Sequence, residues 1–209
     1  MFAFFSRFRD QLLEHPIIYE FVQFLFLANY NRDILIKKLN IDNDSLIIDV
    51  GCGTSKIVQF LDSSIKYVGY DSNLNYVRKA NHTHSGRGAW FVGDAGSVRV
   101  PPDGRVTFLL LALLHHLNDD ACVKLIQHLD SLRRQNPHAR ITVIDPCVSR
   151  RQSRLWQAIT RADRGQFIRT EESYVQLLKS TGLEWSIMFQ RHARLSYYYG
   201  IGISKDLSV

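Results

Sequence analysis

The stretch LIIDVGCGTS, Leu46 to Ser55, constrains the fold more than any other part of the chain. An apolar run leads into Asp49, then Gly51 and Gly53 bracket a single residue, and amphipathic spacing follows. Glycines at that point let the backbone turn sharply from a strand into a helix. They also let a ligand lie against main-chain N–H groups at the helix N-terminus. Taken alone, the pattern supports a tight turn and a binding site equally.

The rest of the chain repeats the alternation. Apolar runs at 46–50, 66–71, 89–94, 106–113 and 140–145 read as strands, and 55–63, 73–80 and 120–134 carry helical spacing. Strand, helix, strand in this order predicts βαβ units and a parallel sheet, and near-continuous Ile, Leu and Val predicts burial on both faces. After a helix at 171–180 the order changes. LEWSIMFQ and LSYYYGIGIS, parted by the polar RHAR, read as an antiparallel hairpin.

Three successive strands end in an acidic residue. Asp71 follows the glycine turn by about 20 residues, a spacing that suits a carboxylate accepting from both hydroxyls of a ribose. A helix N-cap is the competing role, which Ser72 or Asn73 fills as well. Asp94, in FVGDAGSV, is suited to reading the exocyclic amine of an adenine beside Ala95. All these groups fall on the edge of the sheet where open α/β folds bind ligands.

LIIDVGCGTS, YVGYDSN, FVGDAGSV and LLALLHHLNDD, in that order, resemble the nucleotide-binding motifs of class I S-adenosylmethionine-dependent methyltransferases. The segments VIDPCVSRRQSR and RADRGQFIRTEESY are similar to a branch of small bacterial members. The resemblance implies an α/β, Rossmann-like doubly wound sheet, mostly parallel and seven-stranded, with a C-terminal antiparallel hairpin. It implies one domain over 1–209, in which 1–44 form a helical lid on a core at 45–209. S-adenosylmethionine is the implied cofactor and S-adenosylhomocysteine the product. Asp49 would order the glycine loop and reach the methionyl amino group through water, Gly51 and Gly53 would leave room for the methionyl portion, and Asp71 with Ser72 would hold the ribose. Asp94 and Ala95 would hold the adenine, and the Leu111 carbonyl would accept from the amino group. Ser55 stands where the family often has a third glycine, Val106 where it usually has Asp, and QNPHAR where it has a Pro-Gly-Gly turn.

The implied activity is methyl transfer to oxygen, nitrogen or carbon of a small-molecule acceptor. His115 and His116 fall just past the fourth strand and Asp145 closes the fifth, so these three are the candidate catalytic groups. Packing or backbone bonding is the other role open to the histidines, and an ordinary turn to Asp145. Arg161, Asp163, Arg164, Gln166 and Arg169 cluster after a helix. Arg164 and Arg169 are suited to clamping an anionic acceptor, with an internal ion-pair network as the rival reading. Tyr19 is a candidate wall of the acceptor cleft. Two other readings compete with the enzyme: a non-catalytic partner that keeps the fold, and a nicotinamide-dependent oxidoreductase. GCGTS lacks the GxGxxG spacing that the oxidoreductase needs.

Composition narrows the class further. Three cysteines without paired spacing signal neither a disulfide framework nor a zinc site, so no metal is expected and a cytoplasmic location fits. The net charge of +6 reflects Lys and Arg that are not interleaved with aromatics at stacking distances, so no nucleic-acid partner is expected. The apolar N-terminus is broken by Glu14, Glu20 and Gln23 before it reaches the roughly 18 residues a membrane span requires, so membrane contact is not expected. Phe2, Phe5, Phe8 and Leu12, then Ile17, Phe21, Phe24 and Leu25, suit two amphipathic helices packed on a core, with a membrane-surface helix as the weaker second reading.

Overall fold

The computed structural model describes residues 45–161, 165–191 and 198–205. The expected lid over 1–44, Tyr19 within it, and Arg164 lie outside the described residues.

Eight strands form one sheet: β1 (Leu46–Val50), β2 (Lys66–Asp71), β3 (Ala89–Val92), β4 (Val106–Leu111), β5 (Ala139–Val148), β6 (Arg169–Thr170), β7 (Trp185–Arg191) and β8 (Tyr198–Ser204). The order is β3-β2-β1-β4-β5-β8-β7, with the two-residue β6 paired to β5 off the main path. The seven-stranded main path is parallel except at β8, which runs antiparallel to both β5 and β7. The described helices are α1 (Leu74–Thr83), α2 (Asp119–Arg133), α3 (Arg154–Arg161) and α4 (Glu171–Ser180). The chain steps outward from β1 to β3 and then returns to the other side of β1 as β4. That reversal is the switch point at which such sheets bind ligands.

Alternation along the strands divides the core into two layers. Ile48, Phe108, Leu110, Ile141 and Val143 pack on one face with Ile126 and Leu129 of α2 and Leu178 of α4. Ile47, Leu109 and Ile144 face the other way, with Ile57, Val58, Tyr67 and Ile201. Both faces of β1 and β4 are thus covered, as their unbroken apolar runs require. Val106, where the resemblance led to an Asp, is a core residue at 1% exposure.

Element ends depart from the sequence expectation at informative places. The helix expected at 55–63 is only a 3₁₀ turn at Lys56–Phe60, because the Asp62 carboxylate accepts from Ser64 N at 2.9 Å and turns the chain away. β3 stops at Val92, and Asp94 instead caps a 3₁₀ turn at Ala95–Ser97. β4 stops at Leu111, because Ala112 takes a φ of 53°. β5 continues to Val148, where Cys147 and Val148 gain β6 as a neighbour.

The QNPHAR turn before β5 is held by a side chain rather than by glycines. Asn136 is fully buried; its Nδ2 donates to the carbonyls of Pro101, Asp103 and Gly104 at 3.0, 3.2 and 2.9 Å, and its Oδ1 accepts from His138 N. Asn136→Ala removes the buried side chain that ties these part-buried backbone groups together. It is expected to cost about 2–3 kcal/mol in urea denaturation.

Candidate functional site

The glycine loop is built by three consecutive departures from ordinary backbone. Gly51, Gly53 and Ser55 have φ values of 76°, 53° and 54°. Gly51 N and Cys52 N both donate to Tyr70 O, at 2.8 and 3.0 Å, which ties the tip of β1 to the tip of β2. A Cβ at Gly51 would sit 2.6 Å from Leu113 Cδ1, so the chain leaving β4 lies directly against the loop.

Asp71 fastens the loop from the side. Its Oδ2 accepts from Gly53 N and its Oδ1 from Asn73 N, both at 2.8 Å. Asn73, rather than Asp71 or the exposed Ser72, caps α1, accepting from Asn75 N and Tyr76 N. Each Asp71 oxygen accepts one backbone N–H and has further acceptor capacity. Asp94 is exposed, and its Oδ1 accepts from Gly96 N at 2.9 Å. The neighbouring Ala95 carbonyl pairs with His128 Nε2 of α2 at 3.0 Å.

Asp49 lies deepest. It is 2% exposed, and its Oδ2 accepts from the Tyr67 hydroxyl at 2.6 Å, while Oδ1 is buried with no hydrogen-bond partner among the described residues. Burial pushes its carboxyl up to about 7; the Tyr67 bond opposes that rise and the nearby Asp71 charge adds to it.

On the other side of β1, two candidates meet. His115 Nδ1 lies 2.5 Å from Asp145 Oδ1, and both residues are buried. A carboxylate only accepts, so Nδ1 carries the hydrogen, and in the neutral imidazole the basic nitrogen is Nε2. Asp145 Oδ2 is a further buried oxygen without a partner among the described residues. The exposed His116 ring lies against that of His115, tilted by 40° with centroids 4.1 Å apart.

Segment 165–170 clamps the turn that carries these histidines. Phe167 N donates to His115 O at 3.0 Å. A Cβ at Gly165 would fall on His115 Cδ2 and 2.6 Å from the His115 carbonyl, so only a glycine fits against that ring. Arg169 sends its guanidinium donors to Leu114 O, Phe167 O, Leu117 O and, through both Nε and Nη2, Asp119 Oδ1, at 2.6 to 3.1 Å. All five N–H groups of this buried residue are used within the protein. This corrects the expectation that Arg169 binds substrate: its fork holds the histidine turn, as the ion-pair reading had it.

Residues 47–136 match the family model described as a methyltransferase domain. The pyocyanin biosynthetic protein PhzM is similar in structure, with a TM-score of 0.69 at 20% identity over 95% of this chain and 62% of that one. The mitomycin 7-O-methyltransferase MmcR gives 0.62 at 18% identity, over 78% of this chain and 49% of that one. The plantazolicin methyltransferase BamL, solved with a triazolic desmethylPZN analog and SAH, gives 0.63 at 15% identity over 93% of both chains. The chain has the class I S-adenosylmethionine-dependent methyltransferase fold. It spans about half to two thirds of the first two proteins and nearly all of the third. A search of curated proteins finds no significant match.

The cofactor that accompanies the methyltransferase fold is S-adenosylmethionine, and the residues present suit it. The orphaned Asp49 Oδ1 is a buried acceptor in want of a cationic donor. Asp71 offers acceptor capacity on both oxygens for a pair of adjacent hydroxyls. Gly51 brings bare backbone to the switch point. Leu111 is half-buried at the end of β4, followed by Ala112 in left-handed backbone whose N donates to Ile144 O at 2.7 Å. Among the described residues, no group of three His, Cys, Asp or Glu is placed to hold a metal ion, and no helix is long and apolar enough to cross a membrane.

Sequence reasoning missed Tyr67, Trp90 and Gly165. Tyr67 sits in an apolar strand pattern that reads as packing, and Gly165 in a polar loop. Only the spatial neighbours of these residues give them a role.

The Asp49 proton affects stability. Between about pH 4 and 7 the folded chain holds a proton that the unfolded chain has released, so stability falls as pH rises across that window. Asp49→Asn removes the ionisable group and keeps an acceptor for Tyr67. Its melting temperature should exceed that of the wild type, by a margin that widens from pH 5 to pH 7.5 by about 2 kcal/mol in stability.

Proposed function

We propose that the protein transfers a methyl group from S-adenosylmethionine to a hydroxyl of a small molecule, with His115 as general base. The observation that carries this reading is the buried His115–Asp145 pair at 2.5 Å, next to the switch point of the sheet. When bound, S-adenosylmethionine supplies an electrophilic methyl carbon on a positively charged sulfur.

The chain's own residues then have separable tasks. Asp71 and the glycine loop hold the nucleoside portion, and Asp49 holds the amino group. Asp145 fixes the His115 ring and its tautomer and stabilises the imidazolium that forms. His115 Nε2 would take the proton from the acceptor hydroxyl as that oxygen receives the methyl group, with the sulfonium leaving as the neutral thioether. Asp145 therefore acts through His115 rather than on the acceptor itself. Gly165 and Arg169 keep the histidine turn in place. His116, whose ring lies against that of His115, is a second candidate for contact with the acceptor. MmcR is named as an O-methyltransferase, which supports an oxygen acceptor for a chain of this fold. The domain match and the antiparallel β8 leave the oxidoreductase reading without support.

The test is S-adenosylhomocysteine formation with a panel of small phenols and hydroxy acids, with amines as controls. His115→Ala should lower turnover about 10²- to 10⁴-fold with cofactor affinity retained. Turnover confined to amines, or unchanged in His115→Ala, refutes the hydroxyl reading. Asp71→Ala should weaken S-adenosylhomocysteine binding by about 1–3 kcal/mol in titration calorimetry.

A further inference from the structure

Four side chains form an unbroken hydrogen-bonded path beneath the glycine loop. Trp90 Nε1 donates to Ser55 Oγ at 2.8 Å, Ser55 Oγ lies 3.1 Å from the Tyr67 hydroxyl, and that hydroxyl donates to Asp49 Oδ2 at 2.6 Å. An indole N–H only donates and an ionised carboxylate only accepts, so with Asp49 ionised both ends fix the direction: Trp90 to Ser55 to Tyr67 to Asp49. The sheet is built to admit this path. The register sets Asp49 beside Gly69 and Gly69 beside Trp90 across β1, β2 and β3. A Cβ at Gly69 would lie 2.8 Å from Cys52 Sγ and 2.9 Å from Trp90 Cδ1, so the missing side chain keeps the gap open.

Ser55 is in left-handed backbone, which costs a non-glycine residue about 1–2 kcal/mol. A glycine would relieve that strain and at the same time delete the hydroxyl that joins Trp90 to Tyr67. Backbone geometry therefore does not explain the serine, whereas the hydrogen-bonded path does.

We propose that Tyr67, braced by Ser55 and Trp90, is a positioning residue that presents the Asp49 carboxylate to the amino group of the cofactor. One carboxylate oxygen is held by the path and the other is left for an ammonium. The inference rests on the cofactor assignment under Proposed function. Because burial keeps Asp49 partly protonated near neutrality, capture of the ammonium releases that proton. The groups that bear on Asp49 are Asp71 at the tip of β2, Cys52 in the loop and Tyr67. Burial raises the Cys52 thiol and the Tyr67 hydroxyl, so both stay neutral through this range. His84 of the segment after α1 stacks on Trp90, and burial lowers its pKa from the ordinary histidine value.

The experiment is titration calorimetry of the full chain with S-adenosylhomocysteine from pH 6 to 8, in buffers of different ionisation enthalpy. The wild type should release a proton on binding, and its Kd should rise about tenfold from pH 8 to pH 6. Tyr67→Phe removes the bond that favours the ionised form, so the midpoint should move to higher pH with affinity recovered above it. Ser55→Gly should move it the same way by less while raising thermal stability, a pair of effects that a purely structural role does not give. The Trp90 indole N–H resonance of the cofactor-free protein should follow the same titration and stop doing so in Asp49→Asn. Binding without proton release, or with the midpoint unmoved in Tyr67→Phe, overturns the proposal and leaves the cofactor assignment standing. If the folded wild type binds no S-adenosylhomocysteine at any pH, the assignment itself falls, and this proposal with it.

Discussion

Parallel pairing of β1 with β2 on one side and β4 on the other fixes the face on which Asp49, Tyr67 and the glycine loop are presented. Side chains on a strand alternate between faces, and a slip of one residue would exchange them. Asp49 and Tyr67 share a face only because Ile47 pairs with Tyr67 and Asp49 with Gly69. The same pairing brings Tyr70 O within reach of Gly51 N and Cys52 N, so the glycine loop is an extension of the ladder rather than a separate feature. Binding geometry and sheet stability therefore depend on one set of hydrogen bonds.

The tips of these strands hold conformations that would be unfavourable elsewhere. Ser55 and Ala112 both have positive φ without being glycine, and Asp49 is a carboxylate buried almost completely. Such departures persist only where the surroundings over-determine them. Here the surroundings are specific: hydrogen bonds to the Ser55 hydroxyl, a bond from Ala112 N to Ile144 O, and the Tyr67 phenol on Asp49. The two sides of β1 also divide the labour, with acidic side chains and bare backbone on the β2 side and the histidine pair toward β5.

Much of this layout was legible in the sequence. The strands stand out because a sheet buried on both faces demands apolar runs, and the glycine loop because it demands residues without side chains. The sequence places Asp49, Asp71 and Asp145 near strand ends and His115 just past one, and the structure has them at those positions. What escaped depends on contacts far apart along the chain. Trp90 reaches Ser55 across 35 positions and Arg169 reaches Leu114 across 55, and no local pattern encodes either. Arg169 looked like a ligand clamp because sequence shows the available donors but not the carbonyls already waiting for them. Asn136 escaped for the same reason: its value lies in closing two turns that sequence reads as unrelated loops.

The guanidinium of Arg169 carries a broader implication for how such a protein diversifies. It joins the short strand β6 to the histidine turn by bonds to main-chain oxygens, and these are indifferent to which side chains the turn bears. The exposed position 116 can therefore exchange its side chain while the path of the chain stays put. Main-chain bonds of this kind separate the course of a turn from the chemistry it displays at its exposed position.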